Sequence, residues 1–479
     1  MILRLIYDET LAQASYLVGC AAAGEALIID PNRKVEDYIA LAESKGLRIT
    51  AVTETHIHAD FVSGARELAR ATGAQLYLSD MGPADWKYGY AGEAGAILLH
   101  DGETFRVGNI RIEALHTPGH TPEHLSFLLT DTAATDEPMG IFTGDFLFVG
   151  DVGRPDLLEK AAGITGTAES GARQLFRSLQ RFHALPDYLQ IWPGHGAGSA
   201  CGRALGAIPQ TTLGYEKRTN WAFEVTDEQR FVQTVLAGQP EPPTYFAEMK
   251  RVNKIGPVLV SEGAIPLPEA SIEQLMADLQ SGIPVIDTRP SRQYVEEHIP
   301  GTTHVPFGPI FLNWAGWLFP YDRPFSLIVD ASTLRQVITQ LRLIGLDQVA
   351  HVWTLDVLAT WKSTRQPLGN TPQITVQEAR QLLAQGQVTW LDIRSRDEYV
   401  AGHIQGSQHI HLGSLRQHLQ EISPEKPIVV QCQGGARSPI GASLLEAHSY
   451  PQVMDLVGGL LQWQKAGYPV VKGAEPSYL

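Results

Sequence analysis

Thr55-His56-Ile57-His58-Ala59-Asp60-Phe61 is the stretch whose reading decides the fold of the first half of this chain. The run Ile49–Thr53 before it reads as a buried strand, and Gly64–Ala71 after it as a helix. Two histidines one residue apart return both imidazoles to the same side of an extended backbone, and Asp60 follows two residues on. A loop of this kind presents several metal ligands at once. Three more candidates each sit in a glycine-containing turn. They are His120 in Thr-Pro-Gly-His-Thr (117–121), Asp145 in Phe-Thr-Gly-Asp (142–145) and His195 in Trp-Pro-Gly-His-Gly (192–196). A lone histidine is ordinarily a surface or core residue. Four such turns between residues 55 and 196 read as a metal site.

Further out, Ala26–Pro31 reads as a strand ending in a turn and Val35–Lys45 as an amphipathic helix. Ile110–Leu115, Leu125–Leu129 and Ile141–Phe142 supply strands that end near metal turns. The constellation resembles the metallo-β-lactamase fold, an α/β sandwich in the order αββα whose usual pattern is His-x-His-x-Asp-His followed by His, Asp and His. The last histidine of that first motif helps hold a second metal in the binuclear hydrolases of the fold. Here that position is Phe61, which has no lone pair to donate. The resemblance therefore favours the branch with one iron, the persulfide dioxygenases, in which two histidines and a carboxylate bind Fe(II) and leave positions open for O2 and a substrate sulfur. By motif position it implies His56, His120 and Asp145 as ligands of one Fe(II) per chain. His58, Asp60 and His195 then orient ligands or face the substrate, or are polar contacts in the cleft wall. Arg154, in Gly-Asp-Val-Gly-Arg-Pro-Asp (150–156), reads either as a substrate-carboxylate binder or as half of an ion pair.

At 479 residues the chain has room for about three domains. A formal charge of −15 argues against nucleic acid or an anionic membrane as partner. No apolar run is long enough for a signal peptide or a membrane span. Three cysteines (Cys20, Cys201 and Cys432) make no disulfide framework, so a cytoplasmic location with reduced thiols is expected. A homo-oligomer, dimer or tetramer, is expected from the resemblance. Residues 238–248 read as irregular and extended, and Ser261–Pro268 as a domain boundary. The domains are then 1–262, 263–369 and 370–479.

The last two are copies of one another. Val285-Ile-Asp287-Thr-Arg289 through Tyr294 to His298-Ile-Pro-Gly301 recurs as Trp390-Leu-Asp392-Ile-Arg394 through Tyr399 to His403-Ile-Gln-Gly406. Both resemble the rhodanese family, small α/β domains with a parallel sheet, and Asp392, Arg394 and His403 read as structural because the first copy keeps their counterparts. The copies part at one loop. In the second, Pro427–Gln431 leads into Cys432-Gln433-Gly434-Gly435-Ala436-Arg437-Ser438 and then a helical run. A thiolate between a strand end and a helix N-terminus sits among backbone N–H groups and the positive end of the helix dipole, which also cradle a persulfide. Arg437 is there to balance anionic substrates such as sulfite or thiosulfate. In the first copy the equivalent strand, Phe325–Val329, runs into Asp330-Ala331-Ser332-Thr333, with no cysteine. That copy reads as inactive, and its Trp314, Trp317, Phe319 and Tyr321 as an insertion against a neighbouring domain or as core.

The two resemblances together imply a persulfide dioxygenase joined to a sulfurtransferase, with a low-molecular-weight persulfide, O2, sulfite and thiosulfate as its small-molecule partners. Cys201, six residues after His195, reads as a relay thiol or as a small packed residue. The alternative for the first half is a thioester hydrolase resembling glyoxalase II, which needs a working second metal. For the second half it is a sulfur-carrier module.

Overall fold

Apolar residues in the first half alternate along the strands, and each alternation assigns a face. In the computed structural model, which describes residues 1–157, 159, 166–199, 201–202, 205–239, 241–260 and 271–473, these strands form two six-stranded mixed sheets. The first holds, in order, β1 (Ile2–Asp8), β2 (Gln13–Cys20), β3 (Glu25–Ile29), β4 (Arg48–Thr53), β5 (Gln75–Ser79) and β6 (Ile97–Leu99). The second runs from β7 (Thr104–Val107) through β8 (Ile110–His116), β9 (Leu125–Asp131), β10 (Gly140–Gly144) and β11 (Gln190–Pro193) to β12 (Thr211–Thr212).

Tyr16, Val18, Leu27 and Ile29 face Ile112, Phe127, Leu129 and Phe142 between the sheets. Leu17 and Ile28, one residue out of phase, face the helices Val35–Ser44 and Ala65–Thr72 instead. Leu128 and Ile141 likewise pack on the helix Thr167–His183. This is the expected αββα layering, and each fully buried Phe, Leu or Ile in it contributes about 1.5–3 kcal/mol. The metal turns all follow strand ends: residues 55–61 after β4, 117–121 after β8, Asp145 after β10 and His195 after β11. Loops at strand ends on a rigid sandwich are where a site is best held.

Two compact units account for the chain: Met1–Ala264 with Arg342–Gly345, and Ile265–Leu341 with Leu346–Leu479. The boundary expected at Ser261–Pro268 lies outside the described residues. The segment 238–248 is not extended throughout, because a helix, Phe246–Ile255, begins inside it. The Phe246 amide donates to the Pro243 carbonyl, so the chain at Pro243 already leads into a helical first turn.

The second unit contains both repeat copies, each with a parallel sheet. The first has the order β14 (Thr303–His304), β13 (Val285–Asp287), β15 (Phe325–Ile328), β16 (Val349–Trp353). The second follows the same path, β19 (Gln408–His409), β18 (Thr389–Asp392), β20 (Ile428–Gln431), β21 (Val453–Leu456), and adds β17 (Gln373–Ile374) at its edge. The repeated residues do the same work twice. Arg289 grips Asp287 and Arg394 grips Asp392, each with both Nε and Nη2, and both pairs are buried. His298 stacks on Tyr294 and His403 on Tyr399. Trp314 and Trp317 of the first copy pack on His411 of the second, and a Cβ on Gly413 would lie 2.2 Å from the Trp317 ring. Among the described residues no helix is long and apolar enough to cross a membrane.

Candidate metal centre and cysteine loop

His56, His120 and Asp145 offer ligand atoms that all lie within 4.8 Å of one another, and all three residues are buried. Asp145 Oδ2 is 3.5 Å from His120 Nε2 and 3.9 Å from His56 Nε2. Among the described residues, neither oxygen of Asp145, nor Nε2 of His56, has a hydrogen-bond partner. Leaving such atoms bare in a protein interior costs on the order of 1–3 kcal/mol each, more for a carboxylate.

The tautomers explain where the lone pairs point. His120 Nδ1 donates to the Arg154 carbonyl at 3.0 Å, which leaves Nε2 unprotonated on a neutral ring. Thr55 Oγ1 donates to Asp30 Oδ2 at 2.9 Å and so accepts from His56 Nδ1 at 2.9 Å. Burial, helped at His56 by the neighbouring histidines, pushes both imidazoles below their ordinary range. Neutral rings with free Nε2 atoms around an unpartnered carboxylate fit a divalent cation. Gly194 makes room for it, since a Cβ there would lie 2.7 Å from Asp145 Oδ1.

His58 is placed differently. Its Nε2 lies 3.2 Å from Asp30 Oδ1 and its ring packs on Phe61 at 4.4 Å between centroids. Burial lowers its pKa, but Asp30 outweighs burial and lifts it to about 9. His58 is therefore held against Asp30, outside the group formed by His56, His120 and Asp145. His195 Nδ1 donates to the Ala12 carbonyl, and its Nε2 lies 3.2 Å from Asp60 Oδ2 and 3.5 Å from Asp145 Oδ1. Asp60, whose oxygens also make no hydrogen bond among the described residues, forms a second buried donor group with His195 and Cys201. Burial beside Asp60 and Asp145 pushes the Cys201 thiol well up, which keeps it protonated in the absence of a cation. Phe61 offers no donor atom, and Cys201 offers one beside Asp60 and His195. Arg154 is fully buried and grips Asp156 with Nε and Nη2, both at 2.8 Å. The ion-pair alternative is the one realised, and Arg154 reaches the site through its carbonyl on His120.

Cys432 directly follows β20 and is fully buried. Its Sγ accepts from the Gly435 amide at 3.1 Å and the Arg437 amide at 3.4 Å, with Ser438 Oγ at 3.5 Å. The loop amides face inward because its carbonyls are held outward: Leu460 N donates to Cys432 O and Leu461 N to Gln433 O. The close approach falls at Gly459, φ +56°, where a Cβ would meet Cys432 O at 2.3 Å. The ten-residue helix Ser438–Ala447 starts directly after the loop and adds its dipole. Gly434 and Ala436 complete the loop, and Gln433 Oε1 accepts from Arg394 Nη1. The Arg437 guanidinium donates through both Nη atoms to Glu398, each at 2.7 Å. In the first copy the corresponding turn closes on itself, with Asp330 accepting from the Ser332 amide and hydroxyl.

Residues 9–195 match the metallo-beta-lactamase superfamily and residues 375–466 the rhodanese-like domain. A crystal structure of a metallo-beta-lactamase from Staphylococcus aureus subsp. aureus COL is 44% identical, with 74% of this chain and 99% of that one covered at a TM-score of 0.68. The chain belongs to the metallo-beta-lactamase superfamily. At lower identity, the mitochondrial persulfide dioxygenase ETHE1 of Bos taurus is 29% identical over 200 residues, 41% of this chain and 68% of its own length. A hydroxyacylglutathione hydrolase of Rhodospirillum rubrum is 31% identical over 185 residues, 38% of this chain and 60% of its own.

Several supports of the metallo-beta-lactamase site were missed in the sequence. His124 accepts from the Asp145 amide at 3.2 Å and stacks on His56, and its only signal is a position four residues past His120. Asp30, at φ +51°, takes the Thr55 amide and hydroxyl as well as His58. Asn253 donates through Nδ2 to the carbonyls of His58 and Phe61 (2.8 and 2.7 Å) and accepts from the Ser63 amide. The run Tyr215–Trp221 braces residues 150–151, with Gly150 N donating to Glu216 and Trp221 Nε1 to Asp151.

Proposed function

We propose that the chain is a persulfide dioxygenase and sulfurtransferase. The observation that carries this reading is the coexistence of a two-histidine, one-carboxylate ligand triad with a thiol held in a strand–loop–helix cradle in one chain. His56, His120 and Asp145 would hold Fe(II), which would supply activation of O2 and of the terminal sulfur of a persulfide. The reaction is R–S–SH + O2 + H2O giving R–SH and sulfurous acid, which ionises to sulfite. Arg154 O, Thr55 and Ala12 fix the histidine tautomers, His124 and Gly194 fix Asp145, and the apolar wall that includes Phe61 limits water.

Cys432 takes a sulfane sulfur from a second persulfide, R–S–SH + Cys–SH giving R–SH and Cys–S–SH. Sulfite then attacks the outer sulfur, the S–S bond breaks, and thiosulfate leaves with the thiolate restored. The inward amides of Gly435 and Arg437 hold the negative sulfur in both states. Joining the producer and consumer of sulfite raises its effective concentration at the second site. The similarity to a persulfide dioxygenase supports this reading.

One observation favours a second reading. Asp60, His195 and Cys201 offer a nearby cation a carboxylate, an imidazole and a thiol, so a two-metal thioester hydrolase retains a donor set. Paired assays separate the two. The first reading predicts that Fe(II)-loaded protein consumes O2 with glutathione persulfide and that zinc-loaded protein leaves S-lactoylglutathione intact. Thioester cleavage by the zinc form without O2 uptake by the iron form would replace it with the hydrolase.

A further inference from the structure

Besides the cysteine loop, one difference between the two repeat copies lies directly beside the shared tyrosine. Aligned on Asp-x-Arg, Tyr and His-Ile-x-Gly, the second copy has Glu398 directly before Tyr399 where the first has Gln293 before Tyr294. The residues kept in both copies, the Asp–Arg pair and the stacked Tyr–His, are those that hold the fold. Among the residues that change is the one whose carboxylate grips Arg437, and the first copy's Gln293 carries no charge with which to do so. Glu398 therefore ties the helix Arg396–Ala401 to the arginine of the cysteine loop.

Its geometry is that of a closed fork. Both Nη atoms of Arg437 reach the two Glu398 oxygens at 2.7 Å, the arrangement in which a guanidinium and a carboxylate recognise each other best. Glu398 is also fixed from behind, as the Ser395 amide donates to Oε2 in the capping box of the helix Arg396–Ala401. The only arginine of the loop is thus neutralised beside the thiol. An anionic sulfur donor or acceptor meets backbone amides there, and gains the guanidinium only by drawing it from Glu398.

We propose that Glu398 is a specificity-determining residue of the Cys432 loop: by holding Arg437 it lowers the affinity for doubly charged sulfur oxyanions relative to uncharged persulfides. This rests on the sulfur-transfer reading of Cys432. With thiosulfate as donor, the Cys432 thiolate attacks the sulfane sulfur, a new S–S bond forms, and sulfite leaves with the electron pair of the old one. The dianion must enter a pocket whose cation is already paired. With a persulfide whose R group is uncharged that cost is smaller.

The test uses the full-length protein. Thiosulfate binding is measured by calorimetry on Cys432→Ser and on Cys432→Ser with Glu398→Gln, so that binding is read without turnover. Freeing one unit charge in a half-buried pocket tightens thiosulfate binding by about tenfold. With Cys432 intact, Glu398→Gln lowers KM for thiosulfate by a similar factor and moves KM for 2-hydroxyethyl persulfide less than about twofold. Glu398→Asp, which keeps the charge, stays near wild type, and Glu398→Ala serves as a second charge-removing variant should Gln disturb the cap. Ser395→Ala breaks the capping box but leaves the ion pair, and changes neither constant. Unchanged or weaker thiosulfate binding, equal falls in both KM values, or the same effect from Ser395→Ala would overturn the proposal. Tighter thiosulfate binding in a protein that transfers no sulfur would leave it standing and remove the sulfur-transfer reading instead.

Discussion

His58 Nε2 lies 3.2 Å from Asp30 Oδ1, so the second histidine of the His-x-His run is tied to a buried carboxylate while the first is left to bind metal. Adjacent positions of one short motif thus have separate duties. Substitution at His56, His120 or Asp145 is expected to abolish tight Fe(II) binding. His58→Ala should retain at least half of the metal. Metal content by mass spectrometry after anaerobic loading and desalting reads the difference, and equal loss from all four would place His58 among the ligands.

Asn253 reaches the same loop from the helix Phe246–Ile255 and satisfies three of its backbone groups. Asn253→Ala leaves two buried carbonyls and an amide to find new partners, at about 1–3 kcal/mol each before relaxation. Metal affinity should fall about 10- to 100-fold, as for other groups that orient ligands. Competition against a chelator measures this, and an unchanged affinity would reduce Asn253 to ordinary packing.

How much of this was legible in advance follows from distance along the chain. His56, His120, Asp145 and His195 announce themselves because each sits in its own turn at a strand end, and Cys432 because its loop is continuous. Asp30 and Asn253 are 28 and 195 residues from His58 and carry no local signature. Cys201 looked like a relay or a packed residue, and its approach to Asp60 and His195 appears only when two loops are folded together. The pairing of Arg437 with Glu398 has no signal in what the repeat keeps, because Glu398 is a residue it does not keep.

Gly459 holds the cysteine loop from outside the motif. A methyl group there meets Cys432 O and Gln433 at a positive φ, so Gly459→Ala must push the loop carbonyls and turn the amides away from Sγ. Sulfur transfer should fall at least about tenfold while persulfide-dependent O2 uptake stays within about twofold. Parallel loss of both activities would show that the two halves do not work separately.

Glu446, at the far end of the helix that follows the loop, has a carboxyl raised by burial to about 7, partly offset by the hydroxyl of Thr371. A folded value above the unfolded one makes its contribution to stability greatest below about pH 4.5 and lost as pH rises through 7. Glu446→Gln should therefore stabilise the protein at pH 8 by up to about 3 kcal/mol, with no gain at pH 4. Urea unfolding of the second unit's tryptophans at the two pH values reads this, and a gain that is the same at both would exclude the titration.

The most direct test of the account is O2 uptake by anaerobically Fe(II)-loaded protein on addition of glutathione persulfide, with sulfite and thiosulfate quantified together in wild type and Cys432→Ser. The account predicts rapid uptake in both, with thiosulfate the main product of the wild type and sulfite that of the variant. No uptake with any persulfide would contradict the dioxygenase, and an unchanged sulfite-to-thiosulfate ratio in the variant would contradict the place given to Cys432.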